Sequence, residues 1–205
     1  MIPFPNKKYK TIVIDLPWPI ETGFNSKNLH SPMTRVPYPT MSKEEIENFP
    51  INNFADEECS IFLWTIQLFL PYSFELLKKW GFKYHCLMTW DKMDGINCWG
   101  FFRNSEFVIY AYKGKPSLDY TKKFIPTSFR EHRTKHSKKP KIFYDLIRRI
   151  TKEPRIDIFA RKKTEGFDSW GNDQELEAET LEAFLWLPSI KPIRITKDIV
   201  EDAGP

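Results

Sequence analysis

The run Thr11-Ile-Val-Ile-Asp15, closed by Leu16-Pro17-Trp18-Pro19, constrains this chain more than any other feature. Its apolar centre is all β-branched and shows no polar alternation, which fits a strand buried on both faces. The prolines stop it abruptly, because neither can donate to a sheet ladder. A strand hidden on both faces needs a layer on each side, as in a parallel sheet covered by helices. The rest of the pattern supplies such layers. Ile61–Trp64 reads as a second buried strand, and 82–90, 107–112 and 155–160 read as further strands. Leu68, Tyr72, Leu76 and Trp80 follow helical spacing over 68–80, with Gly81 as the stop. Pro140 sits in the first turn of a helix carrying Ile142, Phe143, Leu146, Ile147 and Ile150. Ser42-Lys-Glu-Glu45 is a capping box opening a short helix that ends near Phe49. The prediction is an α/β, Rossmann-like domain: a mostly parallel, mixed-edge sheet with helices on both faces.

Between these elements lie three stretches that read as loops. Residues 16–41 hold five prolines and no periodicity, and a loop of that length inside a compact domain is usually functional. Residues 91–105 contain Gly95 and Gly100, and 113–136 are basic and irregular. The acidic tail from Glu175 is expected to add a helix through Leu187.

Composition narrows the function. At 205 residues there is room for one domain with a sizeable core. No run of eighteen apolar residues occurs and the start, MIPFPNKKYK, lacks a signal-peptide core, so a membrane-spanning or conventionally secreted protein is not expected. Cys59, Cys86 and Cys98 form no CxxC pair, which fits a reducing cytoplasm. The net charge of +4 conceals segregation: residues 1–100 carry −1, 101–163 carry +12, and 164–205 carry −7. A basic middle in a chain with 16% aromatics is the footprint of a polyanion partner, or else a solvated lysine-rich face. His132 and His136 have the spacing for a zinc pair, but the glutamate of HExxH is missing and Arg133, Lys135, Lys138 and Lys139 would repel a cation, so no metal is expected.

The sharpest motif is Asp15-Leu16-Pro17-Trp18. Ligands of open α/β sheets sit beyond the carboxyl ends of strands. There the Asp15 carboxylate can accept one hydrogen of an exocyclic amine and the Leu16 carbonyl the other, while Trp18 stacks on the ring. The bland alternative is a strand-ending turn with Trp18 in the core. This tetrapeptide resembles the Asp-Pro-Pro-Trp signature of amino-group methyltransferases. Further segments appear in the order of the MT-A70 family: Tyr38-Pro-Thr-Met41, Phe62-Leu-Trp64, Trp80-Gly-Phe82, Arg103-Asn104 with Glu106, Ser137-Lys-Lys-Pro140 with Tyr144, Ile158-Phe-Ala-Arg161 and Trp170-Gly-Asn172. The resemblance runs from about Tyr9 to Asn172. The family's first proline is Leu16 here, which keeps the backbone acceptor and loses some rigidity.

The resemblance implies an S-adenosyl-L-methionine-dependent methyltransferase fold with circularly permuted motif order, over residues 1–174, followed by an acidic extension, 175–205. It implies methylation of N6 of adenine in DNA. The competing readings are an RNA adenine methyltransferase and a catalytically degenerate member that only binds nucleic acid, which Leu16 alone favours. Asp15, Leu16, Pro17 and Trp18 would be catalytic. Asp15, Lys139, Phe159, Arg161, Asn172 and Asp173 would bind the cofactor, with Lys139 at its methionine end. Trp18 and Tyr38 would contact the base, with Arg103, Asn104 and Glu106 lining the site. A base in a duplex cannot reach such a pocket without flipping. Lys113, Lys115, Lys122, Lys123, Arg130, Arg133 and Lys135 of the basic loop are the candidates for phosphate, among which Lys122, Lys123 and Arg130 are the principal ones. A cytoplasmic location, in a prokaryotic or phage-infected cell, goes with this reading, and pairing as a homodimer or with a related subunit is compatible with it.

Overall fold

In the computed structural model, residues 5–19, 39–98, 101–119, 121, 124–132, 139–160 and 163–171 are described, the side chains of 96–98 excepted. The β-branched run at the start becomes β1 (Tyr9–Asp15), and Ile12, Val13 and Ile14 have no exposed surface. Ser42 caps α1 (Lys43–Glu47) with both halves of the capping box formed. A single helical turn, α2 (Ile51–Phe54), leads into β2 (Ala55–Thr65). Then come α3 (Leu70–Lys79), β3 (Lys83–Cys98), β4 (Phe101–Lys113) and β5 (Ser128–Arg130). The chain continues through α4 (Lys141–Ile150), β6 (Arg155–Ile158) and β7 (Asp168–Trp170). Among the described residues no helix is long and apolar enough to cross a membrane.

The strands form one sheet in the order β5-β3-β4-β2-β1-β6-β7. β1 pairs parallel with β2 and β6, β6 with β7, and β3 with β5, whereas β4 is antiparallel to both its neighbours. The sheet is mostly parallel, as expected, but the reversed strand lies in its interior and not at an edge. Reversal costs nothing there, because the β3–β4 hairpin satisfies the ladder on one side and β2 on the other.

Two cores flank the sheet. Ile12 and Ile14 face α1, α2 and α3 through Ile46, Phe54, Leu76 and Leu77. Val13, Phe62 and Trp64 face α4 through Phe143, Leu146 and Ile147. Helices therefore cover both faces, and the doubly buried reading of β1 holds because successive side chains go to opposite layers.

Two loop expectations give way to strands. Residues 91–105 are mostly the extension of β3 and β4, paired out to Cys98 and Phe101 across a register shift between Asp91 and Ile96. The glycine that suggested a loop is needed for that irregularity: a side chain at Gly95 would lie 2.5 Å from the Arg103 carbonyl oxygen. The basic stretch contains β5, and Ser117 within it is buried with its N–H on Ser60 Oγ at 2.9 Å. β7 was not foreseen, since three residues carry no period of their own. Residues 172–205, including the proposed tail helix, lie outside the described residues.

Candidate active site

The parallel strands β1, β2, β3 and β6 end on one side of the sheet, and β4 enters from it. Asp15 is the last residue of β1, in register with Trp64 of β2. By strand alternation it shares the face of Val13, the α4 face. The turn that follows is stapled: the Trp18 N–H donates to the Leu16 carbonyl at 2.9 Å and the Met41 N–H to the Pro17 carbonyl at 2.8 Å. The Leu16 oxygen keeps a second lone pair for another donor.

Lys139 lies two residues before α4, and its ammonium bridges β1 and β4. It is 3.1 Å from Asp15 Oδ2 and 3.0 Å from Glu106 Oε2, and it stands 4.7 Å over the Trp64 ring. Its side chain is only 12% exposed. Lys92 of β3 closes the row, 3.4 Å from Glu106 Oε1. Two ammoniums and two carboxylates thus alternate across three strands and a loop, with no net charge. Burial favours the neutral form of Lys139, yet Asp15 and Glu106 hold it charged, with its pKa above the ordinary lysine value. Burial likewise opposes ionisation of Glu106, but Lys139 and Lys92 outweigh it and keep the carboxyl below its usual range.

The start of α4 is fixed from a distance. Its N-cap, Pro140, has no side-chain acceptor. The Glu131 carboxylate accepts the Lys141 and Ile142 N–H groups instead, at 2.9 and 3.0 Å. Trp90 Nε1 donates to the Glu131 carbonyl at 2.8 Å, which ties this cap to β3. Behind Asp15, Tyr144 of α4 donates to Asp157 Oδ2 of β6 at 2.7 Å. Burial pushes the Asp157 carboxyl up to about 7, with the Asp15 charge acting in the same direction.

The sequence-predicted residues divide cleanly. Asp15, Lys139 and Glu106 come together. Trp18 is 5% exposed, stacked on Phe69 at 5.1 Å, with Nε1 donating to the Trp64 carbonyl at 3.3 Å. A ring so enclosed supports the turn and has no free face for a base. Asn104 and Arg130 meet each other's partner rather than Asp15. The Asp91 carboxylate takes the Met93 N–H at 2.9 Å, Arg130 Nε at 2.8 Å and Asn104 Nδ2 at 3.1 Å. Arg103 is exposed on β4. The Phe159 ring packs inward on Phe49 and Trp170, at 5.3 and 5.6 Å. Its backbone is in the left-handed region, φ 62°, and donates to the Trp170 carbonyl. Gly171 passes so close that a side chain there would lie 2.6 Å from Phe159 Cα, so β6 and β7 end in a tight crossing beside Asp15's strand. Tyr38, Lys122, Lys123, Arg133, Lys135, Arg161, Asn172 and Asp173 lie outside the described residues.

Sequence reasoning missed Lys92, Asp157 and the capping role of Glu131. Lys92 stood in a presumed loop, where a lysine reads as solvated. Asp157 had one available signal, a carboxylate in the middle of an otherwise apolar strand. Burial also pushes the Cys59 thiol up to about 12, so it carries no nucleophilic character.

The donor set suits a zwitterionic ligand. An ammonium for a carboxylate and carboxylates for an amine stand within 3.1 Å of one another, in a row whose own charge is zero. Comparison with known proteins agrees. The family model described as MT-A70 matches residues 9–173. The Type II methyltransferase M.MunI of Mycoplasma sp is 28% identical over 198 residues, covering 86% of this chain and 83% of that protein. The matched segment begins at the first residue of β1 and passes Gly171, taking in every residue of the ionic row, and the chain is therefore a member of the MT-A70 family of S-adenosyl-L-methionine-dependent methyltransferases.

Proposed function

We propose that the chain methylates N6 of adenine in DNA, with residues 1–174 as the methyltransferase domain. The observation that carries this reading is Asp15: a carboxylate at the carboxyl end of a central strand, 24% exposed and held at 3.1 Å by a buried lysine. Bound S-adenosyl-L-methionine supplies an electrophilic methyl on a sulfonium. Lys139, Asp15 and the Phe159 backbone are the described residues assigned to hold it, with Arg161, Asn172 and Asp173 completing the set. The work left to the protein is on the amine. Its lone pair is delocalised into the purine ring, so the nitrogen is a weak nucleophile until its hydrogens are directed. Asp15 Oδ and the Leu16 carbonyl accept those hydrogens and turn the lone pair toward the methyl. Pro17 and the Met41 clamp fix the carbonyl, so that little reorganisation is needed at the moment of transfer. Lys139 keeps Asp15 ionised and therefore an acceptor only.

A duplex must release its adenine into this site. Tyr38 is the remaining candidate for stacking on the base, since Trp18 is enclosed. Salt-sensitive binding through the basic loop, Lys122, Lys123 and Arg130 above all, would supply affinity with little sequence information. DNA is favoured over RNA by the relative's name, that of a Type II methyltransferase. The test is transfer of labelled methyl from S-adenosyl-L-methionine to matched single- and double-stranded DNA and RNA, with adenine-free controls. Label confined to adenine-containing DNA is expected. Label in RNA alone would replace the substrate, and label in the adenine-free controls would overturn the base assignment.

A further inference from the structure

We propose that Lys92 is a positioning residue: it keeps Glu106 charge-compensated, so that the Lys139 ammonium can pass from Glu106 to the carboxylate at the amino-acid end of S-adenosyl-L-methionine. The inference rests on the reading above that Lys139 takes that end of the cofactor.

The geometry is that of a lending arrangement. Glu106 presents one oxygen to each lysine, Oε2 to Lys139 at 3.0 Å and Oε1 to Lys92 at 3.4 Å. Lys139 in turn divides itself between Glu106 and Asp15. Lys92 has no second acidic partner among the described ion pairs, and its neighbour Asp91 is directed to Arg130, Asn104 and the Met93 N–H. The Lys92 side chain is 14% exposed, far below what a solvated lysine shows, and the irregular stretch of β3 at Asp91–Ile96 turns it onto Glu106. Were Lys139 to leave Glu106 with no Lys92 present, a carboxylate that is 19% exposed would lose both cations that pair with it among the described residues. Uncompensated charge in such a setting is the costly state, more than the lost pair itself. With Lys92 in place, Glu106 loses one of two partners and stays ionised. Among the described residues, the charged groups paired with Glu106 are Lys92 from β3 and Lys139 from the segment before α4, with Asp15 of β1 reached through Lys139.

The consequence is distinctive. Without Lys92, Glu106 should hold Lys139 more tightly and lower the affinity for any ligand that needs the ammonium. Protonating or neutralising Glu106 should undo the defect. Calorimetric titration of S-adenosyl-L-homocysteine, which has the same amino-acid end and no methyl to transfer, reads this without turnover. Lys92→Met is expected to bind about tenfold more weakly at about pH 8. Its affinity should recover toward wild type as falling pH protonates Glu106. Lys92→Arg and the double variant Lys92→Met, Glu106→Gln should bind close to wild type. Wild-type affinity in Lys92→Met at about pH 8 would overturn the proposal. A loss that neither acid nor Glu106→Gln repairs would overturn it too, since that is the mark of disturbed packing. Lys139→Met separates the two levels of the argument. If it binds like wild type, the cofactor role of Lys139 falls and the proposal with it. If it weakens binding while Lys92→Met does not, only the role of Lys92 falls.

Discussion

Lys139→Met should destabilise the fold at neutral pH and lose most of that effect in acid. The substitution keeps an unbranched stem over Trp64 but removes an ammonium that serves Asp15 at 3.1 Å, Glu106 at 3.0 Å and the Trp64 ring at 4.7 Å. Deleting one partner of a buried pair costs about 3–5 kcal/mol, because the other charge is stranded. Here two carboxylates are stranded, but they retain 24% and 19% exposure and Lys92 still serves Glu106. Solvent screening and that second lysine place the expected loss at the lower end, about 3 kcal/mol. Its pH dependence has a definite sign. Although burial works against it, the Glu106 carboxyl is held below its ordinary 4.5 by the two lysines. A depressed carboxyl stabilises the fold above its unfolded pKa and loses that contribution as pH falls through its folded pKa. The raised Lys139 acts at the other end of the scale: its contribution is complete below 10.5 and is lost only as pH rises through the folded pKa, so it stays constant over neutral and acid pH. The gap between wild type and variant should therefore narrow below 4.5. Urea unfolding followed by tryptophan fluorescence, at neutral pH and at about pH 4, measures both quantities. A neutral-pH loss under about 1 kcal/mol, or equal losses at the two pH values, would refute the reasoning.

Three further outcomes are expected. Asp15→Ala should abolish methyl transfer while weakening S-adenosyl-L-homocysteine binding less than Lys139→Met does, and turnover near the wild-type rate would remove Asp15 from the chemistry. Glu131→Ala takes away both acceptors at the N-terminus of α4, and should cost about 1–2 kcal/mol in denaturant unfolding; no change would mean that solvent caps the helix equally well. Asp157 is a carboxyl whose folded pKa is raised to about 7, so the folded state resists its ionisation and loses stability as pH climbs from its unfolded value of 3.8 toward 7. Asp157→Asn, which leaves an acceptor for Tyr144, should accordingly raise the melting temperature by a few degrees at pH 8 and leave it unchanged near pH 4, and the opposite pH trend would contradict the assigned shift.

The sequence by itself determined whatever depends on residues close together along the chain. A β-branched run ended by prolines can only be a strand that stops at Asp15, and Ser42 with Glu45 closes a capping box within one turn. The period of Phe143, Leu146, Ile147 and Ile150 gives α4 its buried face before any partner is known. The family resemblance also named Asp15, Lys139 and Glu106, which the fold joins. Tertiary structure decided the rest, for two physical reasons. Pairing overrides local preference: Gly95 and its polar neighbours read as a loop, yet a partner strand satisfies their backbone and draws them into the β3–β4 hairpin. Packing also decides which side chains reach water. Nothing local tells an aromatic at a pocket mouth from one beneath it, and Phe69, in the turn that follows β2, stacks on Trp18. Lys92 illustrates the converse, a lysine that sequence assigns to solvent. The sheet delivers Glu106 to one side of it across the hairpin, and the segment before α4 delivers Lys139 behind that, so its charge has a use only once β1, β3, β4 and that segment have been folded against one another.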